Sequence, residues 1–257
     1  MRRATHRPLL AMLAATCVVA CSGAAPAPAP DPVLPTTAAP PVQRVVVLDP
    51  GHNGGNYGAR ADIRRPVPDG RGGTKPCNTV GTETNAGYAE HAFNFDVAKR
   101  IEARLVAAGM RVVLTRPDDA GAGPCVDARA AAADSAGADA FVSVHADGSP
   151  PADHGFHVAY AEPPPDPAQA GPTRALATAL RDAMRRAGFG VSTNRGAEGL
   201  SGRPDLAGLN LSHRPSVLVE CANMRNAEEA AVASSPEGRE RYAVAIADGI
   251  VAYLRTT

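Results

Sequence analysis

An unbroken apolar run that ends in a histidine loop constrains this chain more than any other feature. Residues 45–48 (VVVL) are β-branched or aliphatic, a pattern typical of a strand that is buried on both faces of a parallel sheet. The run stops at the turn signal Asp49-Pro50-Gly51, and His52 follows at once. Ligands of open α/β sheets bind just beyond the carboxyl ends of strands, so His52 is a candidate site residue. Taken alone, it is equally consistent with a solvated loop histidine.

The N-terminal segment predicts export. Three arginines precede the apolar run Leu9–Ala20, which forms a secretory signal too short to span a bilayer. Because the run ends in VVACSG, it resembles a bacterial lipoprotein processing motif with Cys21 as the lipidated residue; the alternative is an ordinary signal peptide cut near Ala24. We therefore expect a signal at residues 1–21. Residues 22–42 are rich in alanine and proline, which cannot bury a core and predict a disordered linker.

Charge and composition narrow the choice of partners. The chain has 26 basic and 26 acidic residues, and loss of the signal leaves 23 basic residues against 26 acidic ones. No basic face is implied, so we expect no nucleic-acid partner. Tryptophan is absent and aromatic residues make up 4%, which argues against an aromatic-lined carbohydrate platform. The remaining residues 43–257 suit a single domain, which we expect to act as a monomer.

Three cysteines follow the signal, and an odd number in an exported protein leaves at least one unpaired. Cys77 and Cys125 both lie in loops rich in glycine and proline, and we expect them to form a disulfide. Cys221 continues an apolar strand and points away from its neighbour Glu220. We expect Cys221 to be a free, buried thiol.

Strand and helix patterns alternate through residues 43–257. Helical periodicity or a helix-start signal marks residues 89–108, 126–136, 173–187 and the segment from Ser235 onwards; apolar runs predict strands at 45–48, 111–115, 140–144, 155–161 and 216–220. This alternation predicts an α/β fold with a mixed, mostly parallel, twisted sheet flanked by helices on both faces. Residues 56–88 lack periodicity, and we interpret them as a lid or wall of a cleft, or else as an insertion without a role.

Three further residues are candidates for chemistry. Glu90 shares the apolar face of the first helix, which is costly unless the carboxylate is paired, although the first turn of a helix also favours an anion for purely structural reasons. His145 follows the strand at 140–144, as His52 follows the first strand, and Glu220 ends the strand at 216–220. Two histidines and a carboxylate are typical of a catalytic zinc site, and a second carboxylate suits a general base. Spacing alone does not prove this. We assign no role to the other histidines of the domain, His91, His154, His157 and His213.

The motifs around these residues resemble those of the zinc-dependent N-acetylmuramoyl-L-alanine amidases of the type-3 family. The matching segments, in the family's order, are LDPGHNGG, AEHAFNFDVAKRI, TRPDD, FVSVHADG, NRG and VLVECANMRN, which together span most of residues 45–226. Single-domain actinobacterial members resemble the chain most. The resemblance implies that His52, Glu90 and His145 bind Zn²⁺ and that Glu220 is the catalytic glutamate.

The same resemblance implies a substrate and a location. The substrate would be peptidoglycan or muropeptide fragments, cut between N-acetylmuramic acid and the L-alanine of the stem peptide. The protein would act in the periplasm or cell wall, with Cys21 as a membrane lipid anchor if it is lipidated. One departure is Cys-Ala-Asn after Glu220, where many members have a small apolar residue, glycine and phenylalanine. This change affects the cleft wall and leaves the glutamate in place.

Two other functions stay open at this point. One is a zinc amide hydrolase of different specificity, such as a peptidase or a deacetylase, which the released products would distinguish. The other is a non-catalytic wall-binding lipoprotein that activates a partner. Loss of a ligand would favour that second function, and all four site positions are filled in this chain.

Overall fold

A computed structural model describes residues 14–17 and 43–257. The predicted linker and Cys21 lie outside these ranges, as does most of the predicted signal. The strands are β1 Val45–Pro50, β2 Pro66–Pro68, β3 Thr74–Pro76, β4 Arg111–Leu114, β5 Ala140–Asp147, β6 His157–Ala161, β7 Leu200–Arg203 and β8 Ser216–Asn223. The helices are α1 Arg60–Ile63, α2 Glu90–Ala107, α3 Val126–Ala136, α4 Pro167–Arg186, α5 Ala207–Asn210, α6 Ala227–Ser234 and α7 Pro236–Leu254, with a 3₁₀ turn at Gly54–Tyr57.

Six strands form one sheet in the order β4-β1-β5-β8-β6-β7. Strands β4, β1, β5 and β8 are parallel to one another, and β6 pairs with β8 in the antiparallel sense while β7 runs parallel to β6. The carboxyl ends of β1, β5 and β8 therefore meet at one edge of the sheet, where the sequence places the candidate site residues. The predicted α/β fold with a mixed, mostly parallel sheet is confirmed.

Helices cover both faces of the sheet because the strands are apolar on both faces. On one face, Val46, Leu48 and Val142 belong to a core that also contains the apolar stripes of α2, α4 and α7. On the other face, Val47 and Phe141 pack in a smaller cluster with residues from α3 and α5. Since successive strand residues alternate between faces, the side chains that continue the smaller cluster toward the carboxyl edge are those of the site.

The predicted element boundaries agree with the structure to within three residues, except that α4, predicted at 173–187, begins at Pro167, where the Asp166 side chain caps it. The prediction for α3 matches the structure, and α2 differs by a residue at each end. Strands β5 and β8 continue to Asp147 and Asn223, so His145 lies within β5 and not just after it, and Glu220 is not the last residue of β8. Ser235 accepts a hydrogen bond from the Gly238 amide and begins α7 with a proline in the first turn, as the sequence indicates.

The long segment at residues 56–88 has structure that the sequence did not predict. It contains the short helix α1 and a small hairpin in which β2 and β3 pair in the antiparallel sense. The predicted disulfide is confirmed: Cys77 is bonded to Cys125 and fastens the end of this segment to the start of α3. Cys221 is a buried free thiol, also as predicted. No helix within the described residues has both the length and the apolarity needed to cross a membrane.

Candidate metal centre

The structure brings the four candidate residues, His52, Glu90, His145 and Glu220, to one cavity. The cavity has a volume of about 460 Å³ and lies at the carboxyl edge of the parallel strands. Pro76 and residues 78–82 line it from the long segment that follows β1, and residues 206–209 line it beside α5. The segment at 56–88 therefore forms a wall of the cleft, which is one of the two roles the sequence left open.

His52 lies in the loop after β1 with its ring orientation fixed. Its Nδ1 lies 3.1 Å from the carbonyl oxygen of Thr79, which can only accept a hydrogen bond, so Nδ1–H is the donor and Nε2 is the nitrogen that faces Glu90. Nε2 lies 3.1 Å from Oε2 of Glu90. The loop passes so close to Gly81 that a Cβ atom at this position would lie 2.8 Å from both Glu90 and the His52 ring. Gly81 also has a positive φ of 86°, which favours glycine. Both the close contacts and the backbone conformation therefore exclude a side chain at this position.

Glu90 is the first residue of α2 and is almost completely buried. Its carboxylate accepts hydrogen bonds from the Thr82 amide at 2.9 Å, the Ala146 amide at 3.3 Å and the Asn94 side chain at 3.3 Å. Burial alone would raise the pKa of Glu90, but the imidazoles of His52 and His145 outweigh it and hold the pKa well below its ordinary value. A buried carboxylate held ionised between two imidazoles is a ready ligand for a cation.

His145 completes a three-residue cluster. Its Nδ1 lies 2.9 Å from Oε1 of Glu90, and its ring is nearly perpendicular to that of His52, with centroids 4.8 Å apart. One ligand atom from each of the three residues lies within 4.8 Å of the others. With zinc–ligand distances of about 2.0–2.2 Å, ligand atoms of a tetrahedral site are separated by roughly 3.3 Å. Nε2 of His52 and Nδ1 of His145 lie 3.1 and 2.9 Å from the Glu90 carboxylate oxygens, close to this separation, so the three side chains fit a zinc ion.

Glu220 lies beside this cluster and is not part of it. It pairs in register with His145 across β5 and β8. Burial, helped by the charges of Glu90 and Asp147, raises the pKa of Glu220 well above its ordinary value. Within the described residues no donor contacts its buried Oε2. A carboxyl group with a raised pKa and a free oxygen is suited to accept and return a proton.

Not all histidines near the site are on the surface. His91 is half-buried, and its Nδ1 lies 2.7 Å from Oδ2 of Asp119. His157 is buried on β6 opposite Glu220, and burial lowers its pKa to about 4, so its ring is neutral. His154 and His213 are exposed.

Two buried arginines support the site, and the sequence reading did not identify either. Arg116 donates to the Pro50 carbonyl oxygen at 2.9 Å, and Arg129 donates to the same oxygen at 2.8 Å. Arg116 follows β4 in the segment TRPDD, which the resemblance singled out without a role for the arginine. Arg129 lies on the buried face of the alanine-rich α3, beside Ala130 and Ala133. An arginine on a buried helical face was the signal that could have found it.

The residues after Glu220 depart from the family pattern without disturbing the site. Cys221 faces the core on the other side of the sheet. The Asn223 side chain donates to the carbonyl oxygens of Pro150 at 2.9 Å and Asp153 at 2.8 Å. The asparagine thus fastens the connection between β5 and β6, and residues 221–223 are not among those that line the cleft, so the expected change of the cleft wall is not seen.

Comparisons with known proteins agree with this geometry. Residues 46–252 match the family model described as N-acetylmuramoyl-L-alanine amidase. The chain is 46% identical over 228 residues to the N-acetylmuramoyl-L-alanine amidase Rv3717 of Mycobacterium tuberculosis, an alignment that covers 88% of this chain and 93% of the relative.

Solved structures give the same result for the fold. The N-acetylmuramyl-L-alanine amidase Ami1 of Mycobacterium smegmatis superposes with a TM-score of 0.81 at 50% identity, covering 83% of this chain and 98% of the other. The apo form of Ami1 from Mycobacterium abscessus superposes with a TM-score of 0.80 at 51% identity, covering 82% of this chain and 98% of the other.

Proposed function

Because the chain belongs to the N-acetylmuramoyl-L-alanine amidase family, we propose that it cleaves its amide bond with a zinc ion held by His52, Glu90 and His145. The bond is the one between N-acetylmuramic acid and the L-alanine of the stem peptide. One observation carries the zinc assignment: the three ligand atoms converge within 4.8 Å of one another in a cleft that also contains the carboxylate of Glu220.

The protein groups prepare the ligands before a metal arrives. The carbonyl oxygen of Thr79 accepts a hydrogen bond from Nδ1–H of His52, so Nε2 is the nitrogen that faces Glu90. The Thr82 and Ala146 amides orient the two oxygens of Glu90. Zinc, when bound, supplies a Lewis acid that lowers the pKa of water to about 7 and polarises the scissile carbonyl.

Glu220 is the proposed general base and acid. Its side chain projects from the same face of the sheet as His145 and lines the same cleft, so a water molecule beside the cluster would be within its reach. It would take a proton from the attacking water and return it to the nitrogen of the leaving L-alanine, so that the amine departs neutral. The free oxygen at Oε2 and the raised pKa support both halves of this exchange.

The substrate and the location follow from the family. A peptidoglycan amidase acts on the cell wall, so the chain is exported. Lipidation of Cys21 would anchor it to the membrane and let residues 22–42 bridge toward the wall. Mass determination of the mature N-terminus tests this: a diacylglycerol-modified Cys21 supports the anchor, and an N-terminus at Ala24 or beyond contradicts it.

Product analysis tests the reaction itself. The purified mature protein, with its metal content measured, is incubated with peptidoglycan, and the soluble products are identified by mass spectrometry. We expect one zinc per chain and free stem peptides that begin with L-alanine. Shortened peptides would indicate a peptidase, and acetate without peptide release would indicate a deacetylase. A protein that binds no zinc and releases no product would instead favour the alternative of a non-catalytic wall-binding lipoprotein.

A further inference from the structure

We infer that Arg129 is a positioning residue that sets the zinc affinity of the site by fixing the last residues of β1, Asp49 and Pro50, and the loop that follows them and carries His52. The inference rests on the zinc site of the proposed function. It goes further because Arg129 lies on α3, a helix that contributes no metal ligand to the proposed site. It concerns what holds a ligand in place and not which residues are ligands.

Every donor of the Arg129 guanidinium is used inside the protein. An arginine has five N–H groups, and this one has five acceptors: the Pro124 carbonyl at 2.9 Å, Asp49 Oδ1 at 2.7 Å, the Pro50 carbonyl at 2.8 Å, the His52 carbonyl at 3.0 Å and Asn53 Oδ1. The side chain is 3% exposed. Although Arg129 lines the cleft, it has no donor left for a substrate and must act through the loop.

Charge compensation explains only one of these contacts. Asp49 neutralises the buried guanidinium, and its other contacts, from Thr115 Oγ1 and Ser143 Oγ at 2.6 Å each, anchor the pair to the sheet. A buried ion pair needs its charge matched and its remaining donors satisfied. Here three of the remaining acceptors belong to the end of β1 and the loop that carries His52. The arginine thus ties the loop to the sheet through Asp49.

The conformation of His52 needs such a tie. Its φ is 58°, in the left-handed region that residues other than glycine seldom adopt. A backbone of this kind persists only where its surroundings over-determine it. Arg129 holds the carbonyl oxygen of Pro50 before His52 and the carbonyl oxygen of His52 itself. Without these bonds the loop can relax and move the imidazole away from Glu90.

The test compares zinc affinity with stability in the full mature chain. Arg129→Met removes the charge and the donors, whereas Arg129→Lys keeps a charge for Asp49 but cannot serve five acceptors. We expect both variants to bind zinc about 10–100-fold more weakly, the usual cost of losing a supporting contact to a ligand. Competition with a chelator measures this. Arg129→Lys should recover most of the Tm that Arg129→Met loses, and its cobalt-substituted absorption spectrum should still differ from that of the wild type.

A matched control separates positioning from general destabilisation. Leu180→Ala removes a fully buried side chain from the core between α4 and α7, far along the chain from every site residue. It should lower Tm and leave zinc affinity unchanged. The inference is overturned if Arg129→Lys binds zinc as tightly as the wild type. It is also overturned if Leu180→Ala lowers the zinc affinity as much as the Arg129 variants do. If the wild type itself binds no zinc, the proposed function and the inference both fail; if the wild type binds zinc and Arg129→Lys binds it as tightly, only the inference fails.

Discussion

His145 and Glu220 lie directly opposite each other on the neighbouring parallel strands β5 and β8. Side chains in register on adjacent strands project from the same face of a sheet. The separation of a proposed metal ligand and the proposed base is therefore set by backbone pairing, not by a loop. His157 on β6 extends the same row beyond Glu220. Because the two side chains belong to different strands, we expect that metal binding and proton transfer can be separated by mutation.

Glu220→Gln should abolish most of the activity and spare the metal. The amide keeps the shape of the side chain but cannot accept the proton of water. We expect hydrolysis of muropeptides to fall by about 10²–10⁴-fold, the usual contribution of a general base, while zinc stays near one per chain. Turnover on purified muropeptides and metal analysis of the same preparation measure the two quantities.

His52→Ala and His145→Ala are the comparison for that variant. Each removes a proposed ligand, so zinc content and activity should fall together. Near-normal turnover by Glu220→Gln would show that another group is the base.

Asp49 should make stability depend on acid pH. Burial alone would raise its pKa, but Arg129 and the hydroxyl groups of Ser143 and Thr115 outweigh burial and lower the pKa from 3.8 to about 2. A depressed pKa stabilises the fold above the unfolded pKa, and the stabilisation is lost as the pH falls through the folded value. The difference in unfolding free energy between the wild type and Asp49→Asn should therefore shrink by about 2 kcal/mol as the pH falls from about 5 to about 2.

Urea unfolding across this pH range measures the effect. At neutral pH, Asp49→Asn should be several kcal/mol less stable, since it leaves the buried Arg129 without a counter-charge. Asp248→Asn, an exposed position on α7, is the control and should follow the wild type at every pH. A constant difference between wild type and Asp49→Asn would contradict the depressed pKa.

Local sequence patterns singled out the four candidate residues that the structure brings to one cleft, because the convergence of strand ends in a parallel sheet can be inferred from local patterns. Apolar runs that are followed by the Asp-Pro-Gly turn and His52, by His145, and by Glu220 predict strands, and the carboxyl ends of parallel strands converge at one edge. Glu90 was found by its conflict with the apolar stripe of α2. In each case the signal is the position of a charged or polar side chain: either on the apolar face of a helix or at the end of a buried strand.

What the sequence did not reveal depends on partners distant in the chain. Strand β7, Leu200–Arg203, has no apolar alternation, and it forms because β6 offers a free edge for pairing. The hairpin of β2 and β3 is too short to have a pattern of its own. The acceptors of Arg129 include backbone carbonyl oxygens 77 and 79 residues away, and no side-chain pattern records a bond to a carbonyl.

The disulfide should account for a large share of stability. Cys77 and Cys125 are separated by 48 residues, and closing a loop of this length in the unfolded chain is worth about 4 kcal/mol in the entropy model. The double replacement Cys77→Ala with Cys125→Ala should lower the unfolding free energy by about this amount, as measured in urea. A reductant should destabilise the wild type similarly and leave the double variant unaffected. A wild type that is insensitive to reductant under unfolding conditions would contradict the prediction.

Glu90 and Glu220 give the sharpest test of the metal assignment. The same Glu→Gln change at these two buried carboxylates of one cleft should remove the response of Tm to zinc at Glu90 and preserve it at Glu220. Ligand binding to the folded state stabilises it by an amount that grows with free zinc, about 4 kcal/mol at a thousandfold excess over Kd. The wild type and Glu220→Gln should both gain Tm when zinc is added and lose it when a chelator is added. Glu90→Gln should lose most of this response, since an amide oxygen without charge replaces the ligand that lies 3.1 Å from His52 and 2.9 Å from His145. Its Tm without zinc shows whether the variant is folded. A full zinc response in Glu90→Gln would remove Glu90 from the ligand set, and a lost response in Glu220→Gln would make Glu220 a ligand instead of a base.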